Sequence, residues 1–362
     1  MVRLLKLKSA AIVLLLLLII CGGQHAHSQD RLALRVGYLP ILTQLPLVVS
    51  YENDRLSFDK VDLELVKYNS FTSLEAAFRV GAIDVAALPV PIVFSVAGDG
   101  HKVNIIGSFH TGGSRLLSRG QGSLETVRGK LIGVPGLDSN ENLTLSQVLG
   151  EVDLRHGLDY KTIEVPFNTV VSDLKAAKLD AIYLPEPFGT IAENDKIAAA
   201  IEGQDDKLTG SLSTVLVINS EIIQDHPVGV EEWLRSVIRG CRFIEADINK
   251  TGARQTAIIQ KTYFLFPEEV VTASLGQRKG DLKFDQFIPQ PEKIREYLDL
   301  ATQMKLLKKS VDLKSLMNLE LIQKLSSQYR SAEIWRNCSS ETVESQTQTQ
   351  IFNVDTVPGD SG

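Results

Sequence analysis

Short apolar strands alternate with helical segments along the first half of the chain, and one unit occurs twice. Residues 75–98 (EAAFRVGAIDVAALPVPIVFSVAG) predict a helix, an aspartate, a short strand and a proline-bounded loop that opens another helix. Residues 173–189 (DLKAAKLDAIYLPEPFG) repeat this order. Two such units predict two α/β lobes. Because open α/β sheets bind ligands at the loops that follow their strands, the pattern favours a ligand-binding protein.

The order of the elements predicts mainly parallel sheets, because strands and helices alternate. Apolar or alternating runs predict strands at residues 32–36, 61–66, 84–87, 103–108, 116–118, 131–134, 162–165, 180–184 and 212–219. Helical spacing predicts helices at 45–53, 74–80, 170–178 and 231–248. Apolar positions continue at helical spacing over 311–325.

Residues 1–28 predict a secretory signal peptide. A basic start precedes an apolar run over residues 10–20, which is shorter than the roughly 20 residues that a membrane span needs. Two processing routes are open. The tripeptide A-H-S is a small-residue site for cleavage before Gln29, or Cys21 is the acylated cysteine of a bacterial lipoprotein and carries a lipid anchor. Both routes predict a periplasmic protein.

The charge balance argues against nucleic-acid binding. The leader carries three basic residues and no acidic one, so 35 of the 38 basic residues remain against 44 acidic residues. A nucleic-acid-binding protein needs a basic footprint. A local cationic pocket remains compatible with this balance.

Residues 336–362 differ in composition from the rest of the chain. They are rich in Ser, Thr and Gln with few large apolar side chains, so we expect a disordered tail. Cys241 lies in an amphipathic helical segment and is expected to be buried, whereas its pairing with Cys338 is left open by the spacing. No pair of histidines has metal-ligand spacing, and the sequence predicts neither a metal site nor a cofactor.

Five runs of the sequence resemble one family of transport proteins. They are VGYLP followed by PLVV, VDLELVKY, LEAAFRVGAIDVAAL, RGKLIGVPG and DLKAAKLDAIYLPEPF. These runs resemble the substrate-binding proteins of nitrate/sulfonate/taurine-type ABC importers, a family that also includes binders of thiamine-pyrimidine precursors. The resemblance covers residues 30–275, with a weaker helical continuation to about 330.

The resemblance implies a periplasmic-binding-protein type II fold, with two α/β lobes, a ligand cleft and two crossovers. On that basis lobe one comprises residues 30–118 plus 213–335, and lobe two comprises 119–212. Such a protein closes on a small-molecule ligand by a hinge motion and delivers it to an ABC permease in the inner membrane.

Three loops that precede helices are candidate parts of the site, because a helix N-terminus offers unpaired N–H groups. They contain Thr43 and Gln44, Ser70 to Thr72, and Gly136 to Ser139. In the family the last loop often carries Gly-Ser for an oxyanion. Here Asp138 and Glu141 add negative charge, which weakens the oxyanion interpretation and leaves room for a neutral or cationic ligand. Asp138 or Ser139 could instead simply cap the helix.

Two further positions have alternative interpretations. Glu186 lies in a Pro-Glu-Pro turn at the predicted cleft mouth, where its carboxylate either accepts hydrogen bonds from a ligand or bonds backbone amides at the hinge. His110 either bonds the ligand when the lobes close or lies exposed in a solvated loop. The predicted ligand-binding residues are Tyr38, Thr43, Gln44, Ser70, Phe71, Thr72, Pro89, His110, Thr111, Gly136, Ser139, Asn140 and Glu186.

The fold that the resemblance implies also carries enzymes, namely a thiamine-pyrimidine synthase and a dehydratase of a menaquinone pathway. Those enzymes are cytoplasmic, whereas the leader predicts export. The sequence also lacks a G-x-S-x-G elbow and a P-loop. We therefore expect a binding protein rather than an enzyme, with a solute sensor that reports to a partner as a further alternative. The ligand stays open among nitrate, bicarbonate, sulfonates, taurine, pyrimidines and aromatic acids.

Overall fold

A computed structural model describes residues 31–204, 208 and 212–329. The predicted leader at residues 1–28 and the predicted tail at 336–362 lie outside these residues, as do Cys21 and Cys338. Cys241 is buried, as expected from its place in an apolar helix face.

The first sheet contains five strands in the order β2-β1-β3-β10-β4. Its strands are β1 (Leu32–Tyr38), β2 (Val61–Lys67), β3 (Val85–Leu88), β4 (Val103–Gly107) and β10 (Val215–Asn219). β1 runs parallel to β2 and β3, whereas β10 is antiparallel to β3 and β4. The strand that returns from the second half of the chain is therefore inserted between two strands of the first half.

The second sheet repeats this arrangement in the order β7-β6-β8-β5-β9. Its strands are β5 (Ser114–Ser118), β6 (Leu131–Val134), β7 (Lys161–Glu164), β8 (Ala181–Pro185) and β9 (Ala199–Ala200). β6 runs parallel to β7 and β8, and β5 is antiparallel to β8 and β9. Each sheet thus has four strands that run in one direction and one antiparallel strand between two of them, β10 in the first sheet and β5 in the second.

The chain crosses between the sheets twice within the described residues. The first crossing joins β4 to β5, and the second joins β9 to β10. β5 belongs to the second sheet, so the chain changes sheets before Ser114, a few residues earlier than the lobe boundary predicted at 118. The second crossing ends close to the boundary predicted at 212.

Helices cover the faces of both sheets. They are α1 (Leu45–Asp54), α2 (Phe71–Arg79), α3 (Val90–Gly98), α4 (Asn140–Gly150), α5 (Val170–Lys175), α6 (Phe188–Asn194), α7 (Ser220–Asp225), α8 (Pro227–Thr251), α9 (Arg254–Gln260), α10 (Glu268–Gly276), α11 (Pro291–Gln303) and α12 (Leu313–Leu316), with residues 320–329 also helical. The continuous helical spacing over 311–325 does not correspond to one helix. The chain is extended at Met317, which forms a β-bridge with Ile105 of β4.

The core of the first sheet depends on one long helix. α8 packs along α1, and its Trp233 is 1% exposed. The two helices approach closely at Gly240, where an added Cβ would lie 3.0 Å from the carbonyl oxygen of Pro46 and 3.1 Å from the backbone nitrogen of Ser50. Glycine is therefore required there by space rather than by backbone conformation.

We expect Gly240→Val to lower the free energy of unfolding by about 2–3 kcal/mol, because the side chain would overpack the contact between α8 and α1. Gly150→Val is the matched control, since Gly150 ends α4 at an exposed position with no atom within 4 Å of an added Cβ. The control should change stability by about 0.5 kcal/mol or less. Urea unfolding of both variants measures the difference, and equal losses would contradict the assignment of close packing at Gly240.

Candidate functional site

The loops after the parallel strands of the two sheets meet in the structure. Four hydrogen bonds join them: Leu42 N–H to Glu186 O (2.8 Å), Val90 N–H to Asn140 Oδ1 (2.8 Å), Phe167 N–H to Asn69 O (3.2 Å) and Thr72 Oγ1 to Glu164 Oε1 (2.6 Å). The two lobes therefore lie against each other along the edge where α/β sheets bind ligands.

A row of aromatic rings runs through this contact, and we call it the aromatic chain. In order it contains Phe71, Phe167, Phe188, Phe266, Phe264 and Tyr38. Successive ring centroids lie 5.3–6.4 Å apart. Phe71 and Tyr38 follow strands of the first sheet, whereas Phe167 and Phe188 follow strands of the second. The predicted site residues Tyr38 and Phe71 are thus parts of an apolar wall that both sheets share.

Glu141 lies in the first turn of α4 and is 2% exposed. Its Oε1 accepts hydrogen bonds from Ser114 Oγ (2.9 Å) and Ser213 Oγ (2.6 Å), which belong to the two chain crossings. Its Oε2 has no hydrogen-bond partner among the described residues. Burial raises the pKa of this carboxyl, while the serine hydroxyls act in the opposite direction.

His110 is fully buried in the first crossing, so the alternative of an exposed loop histidine is wrong. Its Nε2 lies 3.0 Å from Thr214 Oγ1 in the second crossing, and its Nδ1 has no hydrogen-bond partner among the described residues. Burial lowers the pKa of His110 to about 4, with the backbone of Gly112 acting weakly in the opposite direction. The imidazole is therefore neutral at physiological pH.

Thr43 is fully buried in the turn before α1, and its Oγ1 also lacks a hydrogen-bond partner among the described residues. Its methyl group lies so close to Gly113 that a Cβ on that glycine would approach within 2.9 Å. The next residue, Gln44, has both ends of its amide in use: Oε1 accepts from Leu39 N–H and Nε2 donates to Ala87 O.

Thr43, His110 and Glu141 form what we call the three unpaired groups. Each is at most 2% exposed and each has one polar atom without a partner in the described part of the chain. All three contact, or belong to, the two short segments in which the chain crosses between the sheets. Unpaired buried polar atoms are costly, so these three atoms are candidates for contact with a ligand.

Other predicted residues at the start of α4 have structural partners. Ser139 caps the helix by accepting from Asn142 N–H and donates to Gly136 O. Asn140 accepts from Val90 N–H and donates to Leu212 O (2.5 Å). Its amide therefore fastens α4 to α3 and to the second crossing.

Glu186 is fully buried, and both its oxygens are in use. Oε1 lies 3.2 Å from Arg115 Nη1, and Oε2 accepts from Thr190 N–H and from Ser274 Oγ. Arg115 also pairs with Glu193. These contacts correspond to the alternative in which Glu186 bonds a backbone amide, and they link β5, α6 and α10.

Acidic side chains from both lobes gather where α2 faces the second sheet. Burial, with the charges of Glu75 and Glu164, raises the pKa of Asp138 to about 6, although Arg79 acts in the opposite direction. Arg79 is itself paired with Glu75 and Asp99. The carboxyl of Asp138 is therefore neutral below about pH 6 and ionised above it.

The remaining predicted residues shape the surrounding loops. Ser70 caps α2 by accepting from Ser73 N–H. Pro89 is buried and precedes α3. The backbone of Thr111 exchanges two hydrogen bonds with that of Lys283.

Sequence reasoning missed three parts of this arrangement. Phe167, Phe188, Phe264 and Phe266 were not singled out, although the first two follow strand ends in the same way as Phe71. The pairing of Arg115 with Glu186 and Glu193 has no local signal. Glu141 was noted only for its charge, although its place two residues after a capping serine marks it as a first-turn residue.

No group of three or more metal-binding side chains suited to a metal ion occurs within 31–204, 208 and 212–329. A search of the same residues found no helix long and apolar enough to cross a membrane.

Known proteins share the arrangement of this chain. The ligand-binding component of an ABC-type import system from Staphylococcus aureus, solved with zinc bound, superposes with a TM-score of 0.70 at 19% identity, over 82% of this chain and 99% of that one. The periplasmic nitrate-binding protein NrtA from Synechocystis PCC 6803 gives a TM-score of 0.72 at 14% identity, over 83% of this chain and 89% of that one. The predicted type II periplasmic-binding fold is confirmed.

At the sequence level, the chain is similar to the bicarbonate transport ATP-binding protein CmpC of Synechococcus elongatus. The two are 22% identical over 269 residues, which cover 68% of this chain and 40% of that protein. The chain thus spans less than half the length of this relative. A family model described as NMT1-like matches residues 28–259. Since that model spans well over half of the sequence, the chain belongs to the NMT1-like family.

Proposed function

We propose that the protein is the extracytoplasmic solute-binding component of an ABC importer. It captures a small molecule between its two lobes and delivers it to a permease in the inner membrane. The family, the fold and the solved binding proteins of similar structure support this function. Lobe one, at residues 30–118 plus 213–335, and lobe two, at 119–212, carry the two sheets apart from β5.

The observation that carries the proposal is the set of three unpaired groups at the chain crossings. A protein that only needed to hold two lobes together would pair these atoms, because each unpaired buried polar group costs about 1–3 kcal/mol. Thr43, His110 and Glu141 instead each keep one atom without a partner in the described structure. These atoms are the proposed ligand contacts, and we propose that the aromatic chain, which also lies between the lobes, forms an apolar wall of the same cleft.

The paired groups have a different proposed role. Ser139, Asn140 and Glu186 keep the loops of the cleft in place, since their polar atoms already bond backbone or side-chain partners. Substitutions there would loosen the cleft rather than remove a direct ligand contact.

Export and the absence of a catalytic motif lead us to propose a binder rather than an enzyme. The enzymes that share the implied fold are cytoplasmic and need no leader. The neutral, buried His110 acts here as a hydrogen-bonding group. The mature protein is placed in the periplasm, either released or anchored through Cys21.

Ligand capture is tested with the full chain, expressed with its own leader in a Gram-negative host and unfolded and refolded to remove carried-over ligand. We expect at least one compound of a panel of inorganic anions, sulfonates, amino compounds and heterocycles to stabilise it. At a hundredfold excess over the dissociation constant the gain is about 2.7 kcal/mol. Thermal unfolding measures the gain, and no gain with any compound would overturn the binding function.

Leader processing is tested by mass spectrometry of the same material. Release predicts a soluble protein that begins at Gln29. Lipid anchoring predicts a membrane-bound protein whose acylated first residue is Cys21, and Cys21→Ser should then abolish the anchor. A chain that retains residues 1–28 in the cytoplasm would contradict export.

Asp138 makes closure dependent on pH. The pKa of Asp138 is raised to about 6 when the lobes lie against each other. Above that pH the ionised carboxylate therefore destabilises the contact between the lobes, and protonation below it removes this destabilisation. His110 must stay neutral while buried, so it removes stability from the protein as the pH falls through 6.5, and the contribution of Asp138 is read as the difference between two proteins. We expect the ligand-free wild type to gain stability relative to Asp138→Asn as the pH falls from 7.5 to 5. Thermal unfolding across this range measures both.

The pH range lies above the range in which Glu193 titrates, and the contribution of His110 is common to the wild type and to Asp138→Asn. Burial alone would raise the pKa of Glu193, but Arg115 and Lys279 outweigh it and lower that pKa to about 2. The stability that Glu193 contributes is lost only as the pH falls below its ordinary value of 4.5. An Asp138→Asn variant with an unchanged pH profile would contradict the role of Asp138.

A further inference from the structure

We propose that, given the binding function above, the cleft accepts a flat ligand with a positively charged, hydrogen-bond-donating nitrogen, and that the carboxylate of Glu141 binds this nitrogen. The geometry around Glu141, the pairing of the nearby cations and the aromatic chain each support this ligand class. It differs in charge from the nitrate named for one protein of similar fold.

Glu141 has a carboxylate oxygen, Oε2, that no donor of the described residues reaches. Two serine hydroxyls donate to its Oε1, and its position in the first turn of α4 places it in the positive end of a helix dipole. Burial opposes both effects and raises the pKa of this carboxyl, so its ionised form needs a compensating positive charge. A cationic N–H donor beside Oε2 would supply that charge, and the ionised carboxylate would accept its hydrogen bond.

No described cation neutralises this carboxylate. The groups that act on its charge are the hydroxyls of Ser114, Ser213 and Ser139 and its own backbone, all of them neutral. A buried carboxylate without a counter-charge is expensive, and a cationic ligand compensates it. An oxyanion at the same place would add a second negative charge.

Three cations near the contact between the lobes are paired with carboxylates, whereas Lys67 donates to the carbonyl oxygen of Tyr263. Arg115 bonds Glu186 and Glu193, and Lys279 bonds Glu193 as well. Arg79 bonds Glu75 and Asp99. Since each of these three positive charges faces at least one carboxylate, none of the three is left over to hold an anion.

The carboxylates where α2 faces the second sheet also favour a cationic ligand. Asp138, Glu75 and Glu164 belong to both lobes and interact with one another. Acidic groups along a cleft attract cations and repel anions before contact is made. The entrance and Glu141 therefore select for the same sign of charge.

The aromatic chain accounts for the flat shape of the proposed ligand. Its rings come from both lobes and meet along the closed contact. Aromatic rings bind flat cations through stacking and through the attraction of a cation to the ring face. The neutral imidazole of His110 and the hydroxyl of Thr43 provide further hydrogen-bonding positions beside the carboxylate.

Benzamidinium and benzoate test the charge directly, because they have nearly the same shape and opposite charge. Isothermal titration of the refolded full chain at pH 7.5 should detect benzamidinium binding. Benzoate, nitrate, bicarbonate and taurine should not bind at the same concentrations. Glu141→Gln should weaken benzamidinium binding at least tenfold, since the amide keeps the shape of the side chain without its charge.

Two other variants separate binding from folding. Thr43→Val removes an unpaired buried hydroxyl, so the ligand-free protein should unfold at an equal or higher temperature while benzamidinium binding weakens. Glu231→Gln is the matched control for Glu141→Gln. Glu231 lies on α8, where it pairs with Arg235 and Lys324, and its substitution should leave benzamidinium binding unchanged. A merely structural Thr43 would lower stability when replaced.

The outcomes distinguish this inference from the function on which it rests. Binding of benzoate, nitrate, bicarbonate or taurine in place of benzamidinium would overturn the cationic ligand class and leave a solute-binding protein. Benzamidinium binding that survives Glu141→Gln would remove Glu141 from the site. Lack of benzamidinium binding at millimolar concentration would also overturn the inference, whereas the wider panel decides the binding function separately.

Discussion

The first turn of α4 is the contact on which the two-lobe structure depends. Within two consecutive residues, Asn140 bonds α3 and the second crossing, and Glu141 bonds both crossings. The second crossing is held further by the hydroxyl of Tyr297, which donates to Leu212 O. All these polar groups are buried, so the position of one lobe relative to the other rests on directional bonds rather than on apolar packing alone.

The polar residues of the cleft fall into two groups, which differ in how many of their polar atoms are hydrogen-bonded within the protein. Glu186, Asn140 and Ser139 use their bonding capacity within the protein. Thr43, His110 and Glu141 sit against the same segments and use only part of theirs. The first group shapes the cleft, and the second group is available to a ligand. The two groups differ in their hydrogen-bond partners and not in residue type. Glu141 and Glu186 are both buried carboxylates, yet Glu186 belongs to the first group and Glu141 to the second.

Much of the fold could be predicted from the sequence, because the strands are short apolar runs bounded by turn residues. The run at 84–87 and the run at 131–134 both form strands close to the expected limits. The site was predicted less fully. The loop positions of Thr43 and His110 pointed to the cleft, since the ends of parallel strands share one edge. The partners of Glu186 come from residues 115, 190 and 274, and no local pattern reveals such distant pairs. The rings of Phe264 and Phe266 likewise come from a segment far from the strands whose loops they contact.

The aromatic chain has a consequence for the temperature dependence of ligand capture. Separating the lobes would bring rings that are now buried into contact with water, and exposure of apolar surface raises the heat capacity by about 0.45 cal/K/mol for each Å². Closure on a ligand reverses this change, so capture carries a negative heat-capacity change that includes the protein's own rings as well as the ligand surface. The enthalpy of capture therefore becomes more favourable on warming, while the entropy becomes less favourable. A small ligand would thus give the calorimetric signature of a much larger apolar surface, because most of the surface removed from water belongs to the protein.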